Sequence, residues 1–225
     1  MRRSEMNIFE YLQHNSYPGR GIIAGLHDDE PVIAYFIMGR SANSRNRIFS
    51  EKDGILSTEP FDVSKVADPS LIIYNAVREC NGEIIVTNGN QTDTIYQYLS
   101  RGKSFREALD TREYEPDRPN YTPRISALVN ATELQMSVLK KQNEECLRLY
   151  YCYPQKNSIA YFISTYDHDG NPLPSFSSDP LKFEINDDIE TFTQKLWNSL
   201  DPENKISLYV RYGSNKIICN KNKEK

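Results

Sequence analysis

Leu71-Ile-Ile-Tyr-Asn-Ala-Val-Arg-Glu-Cys-Asn-Gly-Glu-Ile-Ile-Val-Thr87 reads as two apolar runs joined by Asn81-Gly82. Asn-Gly between strand-like runs is a strong hairpin signal, because both residues tolerate the positive φ that a two-residue turn requires. The same grammar recurs on either side. Gly21–Leu26 and Val32–Met38 flank a turn at His27-Asp-Asp-Glu-Pro, and Arg47–Ser50 and Ile55–Thr58 flank Glu51-Lys-Asp-Gly. Further on, Arg124–Ala131, Glu133–Lys140, Leu147–Tyr153, Ile159–Tyr166, Ile206–Tyr212 and Lys216–Cys219 read as strands, although Met136-Ser-Val-Leu also fits a helix. Strand thus follows strand across short turns, which predicts antiparallel sheets.

Helical patterns are few and segregated. Met6–His14 places Ile8, Phe9 and Leu12 on one face. A second helix is predicted with Thr92 or Asp93 as its cap, followed by a third at Ser104, where Glu107 stands at capping-box spacing, the pair running to about Arg112. The clearest is Asp187–Leu200, capped by Asp187 or Asp188. Loops are expected at Asp62–Pro69, Glu113–Pro123 and Asp167–Asp179, and a fraying tail at Asn220–Lys225. No β-α-β alternation appears. The reading is an α+β chain, a single domain over residues 1–225, with two antiparallel sheets covered by helices.

The 225 residues suffice for a large core, and 38% hydrophobic with 26% charged residues is an ordinary globular balance. No apolar run is long enough to span a membrane, and no apolar stretch follows Met1-Arg-Arg-Ser-Glu as a signal peptide requires. A net charge of −4 argues against general affinity for nucleic acid. The four cysteines and three histidines show no paired metal spacing, so no metal is expected, and Cys146 and Cys152 are expected to be buried, reduced thiols of a cytoplasmic protein.

Four polar clusters stand at the ends of apolar runs. Gly39-Arg-Ser-Ala-Asn-Ser-Arg-Asn-Arg47 follows a buried strand, and no Asp or Glu occurs between Pro31 and Ser50. Arg40, Arg45 and Arg47 therefore point to an anion site, since the guanidinium fork matches phosphate or carboxylate oxygens; the alternative is a solvated basic loop. The second cluster is Tyr74-Asn75, inside a strand that otherwise reads as buried. The third, Asn88-Gly-Asn-Gln-Thr-Asp93, opens a helix and offers backbone amides to an anion or carbonyl, or is simply a cap. The fourth, Tyr114-Glu-Pro-Asp-Arg-Pro-Asn-Tyr-Thr-Pro-Arg124, is stiffened by three prolines and gathers Glu115, Asp117, Asn120, Thr122 and Arg124. No P-loop, no Gly-x-Ser-x-Gly and no amino-terminal Cys, Ser or Thr after Met1 is present.

Taken together and in this order, Tyr35–Arg47, Asp68–Ala76, Val86–Ile95 and Tyr114–Ile125 resemble the IMP cyclohydrolase family first described in archaea, with the motif-bearing part at about 18–128. The resemblance implies a four-layer αββα sandwich like that of the N-terminal-nucleophile hydrolases, without their nucleophile. It implies closure of the formamido-carboxamide ribonucleotide to IMP with loss of water, no metal or cofactor, a small purine ribonucleotide as partner and homo-oligomers. It nominates Tyr74 as proton donor and Glu115 as proton acceptor. Arg40, Arg45 and Arg47 would hold phosphate, and Asn75, Asn88, Gln91, Asp93, Thr122 and Arg124 the base and ribose. Gln91 stands where the archaeal pattern has His. Alternatives are a related purine-nucleotide amidohydrolase, or a non-catalytic nucleotide-binding module.

Overall fold

A computed structural model describes residues 6–65 and 73–223. The chain forms two antiparallel sheets. The first, of six strands, comprises β1 (Arg20–His27), β2 (Glu30–Met38), β10 (Ile159–Ser164), β11 (Leu181–Glu184), β12 (Lys205–Tyr212) and β13 (Asn215–Asn220), in the order β11-β10-β1-β2-β12-β13. The second has seven strands in sequence order: β3 (Arg47–Lys52), β4 (Ile55–Pro60), β5 (Tyr74–Cys80), β6 (Glu83–Thr87), β7 (Arg124–Val129), β8 (Glu133–Gln142) and β9 (Glu145–Pro154).

The turn chemistry behaves as read. Asn81 and Gly82 have φ of 53° and 81°, and Cys80 pairs directly with Glu83 across them. Leu71 and Ile72 of the opening stretch lie outside the described residues, and β5 begins at Tyr74.

Alternation along the strands sorts side chains into three apolar cores. Ile22, Ala24, Ile33, Ile37, Ala76, Val86, Ile125 and Ala127 meet between the sheets. On the outer face of the first sheet, Ile23, Ala34, Phe36 and Leu208 pack under α1 (Ile8–Gln13) and α5 (Ile189–Ser199). On the outer face of the second, Ile85, Leu128 and Leu139 pack under α3 (Gln91–Leu99) and α4 (Phe105–Asp110). The run Val32–Met38 is apolar throughout because β2 is buried on both faces. Each fully buried Leu, Ile or Phe in these cores contributes about 1.5–3 kcal/mol of transfer free energy.

Several expectations are corrected. Helix α3 starts at Gln91, so Thr92 and Asp93 lie inside it rather than capping it, and Asn90 at its N-cap makes no side-chain capping bond. A short helix, α2 (Ala42–Arg45), interrupts the arginine loop, closed by a Ser41/Ser44 capping box. Met136–Leu139 is strand, and β11 was not anticipated. Asn220 is not part of a frayed tail. It ends β13, and its side chain bonds Phe49 N at 2.7 Å, Phe49 O at 2.9 Å and Ser207 Oγ at 2.6 Å. Neither cysteine of the edge strand β9 is buried as expected: Cys152 is exposed and Cys146 is half-buried, with no further strand beyond them.

Candidate active site at the mouth of the sandwich

The same alternation that fills the inter-sheet core carries four polar side chains to one end of it. Arg20 shares the face of Ile22 and Ala24 in β1, and Tyr35 shares that of Ile33 and Ile37 in β2. Arg47 shares the face of Phe49 in β3, and Tyr74 shares that of Ala76 in β5. Just there a cavity of about 270 Å³ opens, lined by Tyr17, Arg20, Arg40, Arg47, Asp117, Asn120, Thr122 and Tyr166 among others. Two larger surface hollows, of about 530 and 520 Å³, contain none of the nominated residues.

Two guanidiniums dominate the cavity. The Nε atoms of Arg20 and Arg47 are both buried with no hydrogen-bond partner. Burial works against Arg20's charge, but Glu115, then Tyr166, Tyr74 and Tyr17, outweigh it and push its pKa above the ordinary arginine value. Arg47 is pushed the other way, by burial first and then by the like charge of Arg20. A buried donor without an acceptor costs about 1–3 kcal/mol, so this end of the sandwich is built for an anion that supplies oxygens. Arg40 stands nearer solvent, its guanidinium 4.8 Å from the centre of the Tyr17 ring and paired with Asp169.

The proline loop forms the opposite wall. Glu115 N donates to Thr122 O at 2.9 Å, and the Asp117 carboxylate accepts from Thr122 N at 2.7 Å and from Thr122 Oγ1 at 2.5 Å. With its own proton committed to Asp117, Thr122 accepts from Tyr166 OH at 2.7 Å. Glu115 is buried, and its pKa is raised, chiefly by burial; Arg20 and then Arg124 hold it back, while Asp117 adds to the rise. Arg124 Nη1 lies 3.8 Å from Glu115 Oε1 and donates to Gln91 Oε1 at 2.7 Å. Gly89 leaves room for this group: a Cβ there would stand 2.6 Å from Arg124 Nη1 and 2.7 Å from Gln91 Oε1. Behind it, Asn88 ties the end of β6 to the start of β7, donating to Pro123 O at 2.8 Å and accepting from Ile125 N at 2.9 Å.

Of the residues nominated from sequence, Arg47, Tyr74, Glu115, Thr122 and Arg124 come together, with Arg40 at the rim and Gln91 beside Arg124. Others do not join them. Arg45 is turned into the scaffold, donating to Gly39 O at 3.0 Å and Asn204 Oδ1 at 3.3 Å. Asn75 and Asp93 lie on the opposite face of β5 from Tyr74. They bond each other at 3.0 Å, and Asp93 pairs at 2.6 Å with Arg78, which stacks 3.6 Å over Tyr96. Sequence reading missed Arg20 and Tyr35. Arg20 sits in Tyr17-Pro-Gly-Arg-Gly, between the first helix and the first strand; its period-2 match to Ile22 and Ala24 is the signal the sequence offers. Among the described residues, no three His, Cys, Asp or Glu side chains are grouped to hold a metal, and no helix is long and apolar enough to cross a membrane.

Comparison with known proteins agrees with this geometry. The family described as "IMP cyclohydrolase-like protein" matches residues 17–217, well beyond the motif-bearing part and through most of the closing strands. Proteins named IMP cyclohydrolase are similar to this chain over long stretches. That of Haloquadratum walsbyi is 28% identical over 185 residues, 80% of this chain and 83% of the relative. That of Methanococcus aeolicus is 26% identical over 156 residues, 67% of this chain and 74% of the relative. That of Methanopyrus kandleri is 34% identical over 119 residues, 51% of this chain and 59% of the relative. With a family match running from Tyr17 in the cavity wall to Ile217 in the last strand, this chain belongs to the IMP cyclohydrolase-like family.

Proposed function

We propose that this protein closes the formamido-carboxamide imidazole ribonucleotide to IMP, releasing water, in a cytoplasmic route to purines. The observation that carries the reading is a cavity walled by Arg20 and Arg47, each with a buried Nε that lacks an acceptor, with the Tyr74 hydroxyl and the buried Glu115 carboxylate within electrostatic reach of both. The relatives' shared name, IMP cyclohydrolase, supports the choice of substrate. The helix-sheet-sheet-helix order of the cores supports a likeness to the N-terminal-nucleophile hydrolase fold. This chemistry needs no enzyme nucleophile.

In this reading Arg20 and Arg47 hold the 5′-phosphate, with Arg40 at the rim. The carboxamide nitrogen attacks the formyl carbon of the same molecule, so a fixed geometry supplies much of the rate. As the C–N bond forms, Glu115 takes a proton from that nitrogen, and Tyr74 gives its proton to the formyl oxygen. The resulting hydroxyl departs as water, carrying the proton Glu115 returns. The formamide nitrogen loses its hydrogen as the C=N bond forms, and that proton restores Tyr74. Burial serves Glu115 well, because a raised pKa brings it closer to the pH at which it must accept and release a proton. Arg124, oriented by Gln91 and Glu113 O, faces the carboxylate and keeps its ionised form accessible.

The test is a spectrophotometric assay of purified protein with the formylated ribonucleotide, following IMP. Turnover is expected in the wild type, and Tyr74→Phe should lower kcat by about 100-fold or more while substrate still binds. Binding of IMP without turnover in the wild type would overturn the reading in favour of a nucleotide-binding module.

A further inference from the structure

Tyr35 is the fully buried partner of the proposed proton donor. Its ring lies in the inter-sheet core, stacked 5.4 Å from Phe49, and none of the residue reaches solvent. Its hydroxyl bonds the Tyr74 hydroxyl at 2.7 Å, across the gap between the two sheets. Tyr74 retains 7% exposure and lies within electrostatic reach of both Arg20 and Arg47, the cations of the cavity wall.

A hydroxyl pair can be connected in two senses, and they are not equivalent here. Among the described residues the Tyr35 hydroxyl has one hydrogen-bond partner, the Tyr74 oxygen. If Tyr74 donated to Tyr35, the Tyr35 proton would be buried without an acceptor, and the proton needed for chemistry would point away from the cavity. If Tyr35 donates, its own proton is satisfied and the Tyr74 proton is free to face the cavity. The cost of an unused buried donor selects the second arrangement.

We propose that Tyr35 is a positioning residue: it donates its hydrogen bond to Tyr74, aims the Tyr74 proton at the substrate, and stabilises the phenolate that Tyr74 becomes on giving it up. This rests on the ring-closure reading above. The step is balanced. The Tyr74 O–H bond breaks, its proton goes to the formyl oxygen, its electron pair stays on the phenolate, and the formamide N–H proton later restores it. The Tyr35 bond strengthens as charge develops on its acceptor, so its stabilisation is larger in the transition state than in the ground state. Tyr35 itself stays neutral throughout, since burial first and the neighbouring Tyr74 next raise its pKa well above the ordinary tyrosine value.

The variant Tyr35→Phe keeps the ring, the Phe49 stacking and the core volume, and removes one oxygen. Losing a bond to a developing charge predicts a fall in kcat of about 10- to 100-fold, with KM for the ribonucleotide unchanged within about threefold. The decisive comparison is the double variant. In a Tyr74→Phe background there is no phenolate to stabilise, so adding Tyr35→Phe should change kcat by no more than about twofold. Equal losses from Tyr35→Phe with and without Tyr74 would overturn the proposal, as would a loss confined to KM. If Tyr35→Phe lowers Tm enough to leave less folded protein, kcat is referred to folded active-site concentration by titration with IMP. Wild-type turnover with an unaffected Tyr35→Phe variant refutes this inference alone, whereas absence of wild-type turnover refutes the ring-closure reading.

Discussion

Arg47→Met is expected to make the protein more stable and a worse binder at once. Arg47 is 6% exposed, its Nε has no partner, and the strongest charge effect on it comes from the like-signed Arg20. A buried, unsatisfied donor costs about 1–3 kcal/mol, and methionine fills a similar volume without it. For a chain of this size each kcal/mol corresponds to roughly 2–4 °C, so Tm without ligand should rise by roughly 2–12 °C. The same side chain is a proposed phosphate ligand, and a charge-assisted bond to a buried oxyanion contributes about 1.5–3 kcal/mol. KM for the ribonucleotide should therefore rise about 10- to 150-fold at a kcat within a few-fold of wild type. Differential scanning calorimetry with and without IMP reads both effects. The variant starts from a higher Tm and gains less from ligand, because ligand stabilisation follows the ratio of concentration to Kd. Arg45→Ala serves as control, since Arg45 bonds Gly39 and Asn204 and should leave KM unchanged within about twofold. A lower Tm for ligand-free Arg47→Met, or an unchanged KM, would refute the reasoning.

Glu115→Gln is expected to abolish most turnover, and wild-type kcat should fall toward acid at a pH above the ordinary carboxylate range, because burial raises the Glu115 pKa. Its stability carries the matching sign: a carboxyl whose folded pKa is raised stabilises most below its unfolded pKa and loses that contribution as pH rises through the folded one, so Glu115→Gln should match wild-type Tm near pH 4.5 and exceed it at pH 8. Gly89→Ala places a methyl against Arg124 Nη1 and Gln91 Oε1, both at the ends of flexible side chains, so Tm should fall by only a few degrees while kcat/KM drops about tenfold or more as Arg124 moves off Glu115.

Local chemistry was readable without coordinates. Asn81-Gly82, the continuous apolar run of β1 and the capping residues of α4 and α5 act within a few residues of one another, so their consequences follow from composition and spacing. The motif around Arg47, Tyr74, Glu115 and Arg124 was likewise visible, because residues costly to bury stood at the ends of apolar runs. What could not be read is which of them face one another. Arg45 and Arg47 are two residues apart in a loop of similar composition. They part because α2 ends at Arg45 and β3 begins at Arg47, which sends one guanidinium to Asn204 and the other into the core. Tyr74 and Asn75 are adjacent, yet the pleat sends them to opposite faces, one to Tyr35 and the other to Asp93. Arg20 and Tyr35 acquire meaning only when two sheets, formed from distant parts of the chain, close face to face. Hydrogen-bond and hydrophobic periodicities are short-range and written in the sequence; the pairing of faces depends on the whole core collapsing in one register, and only the tertiary structure decides it.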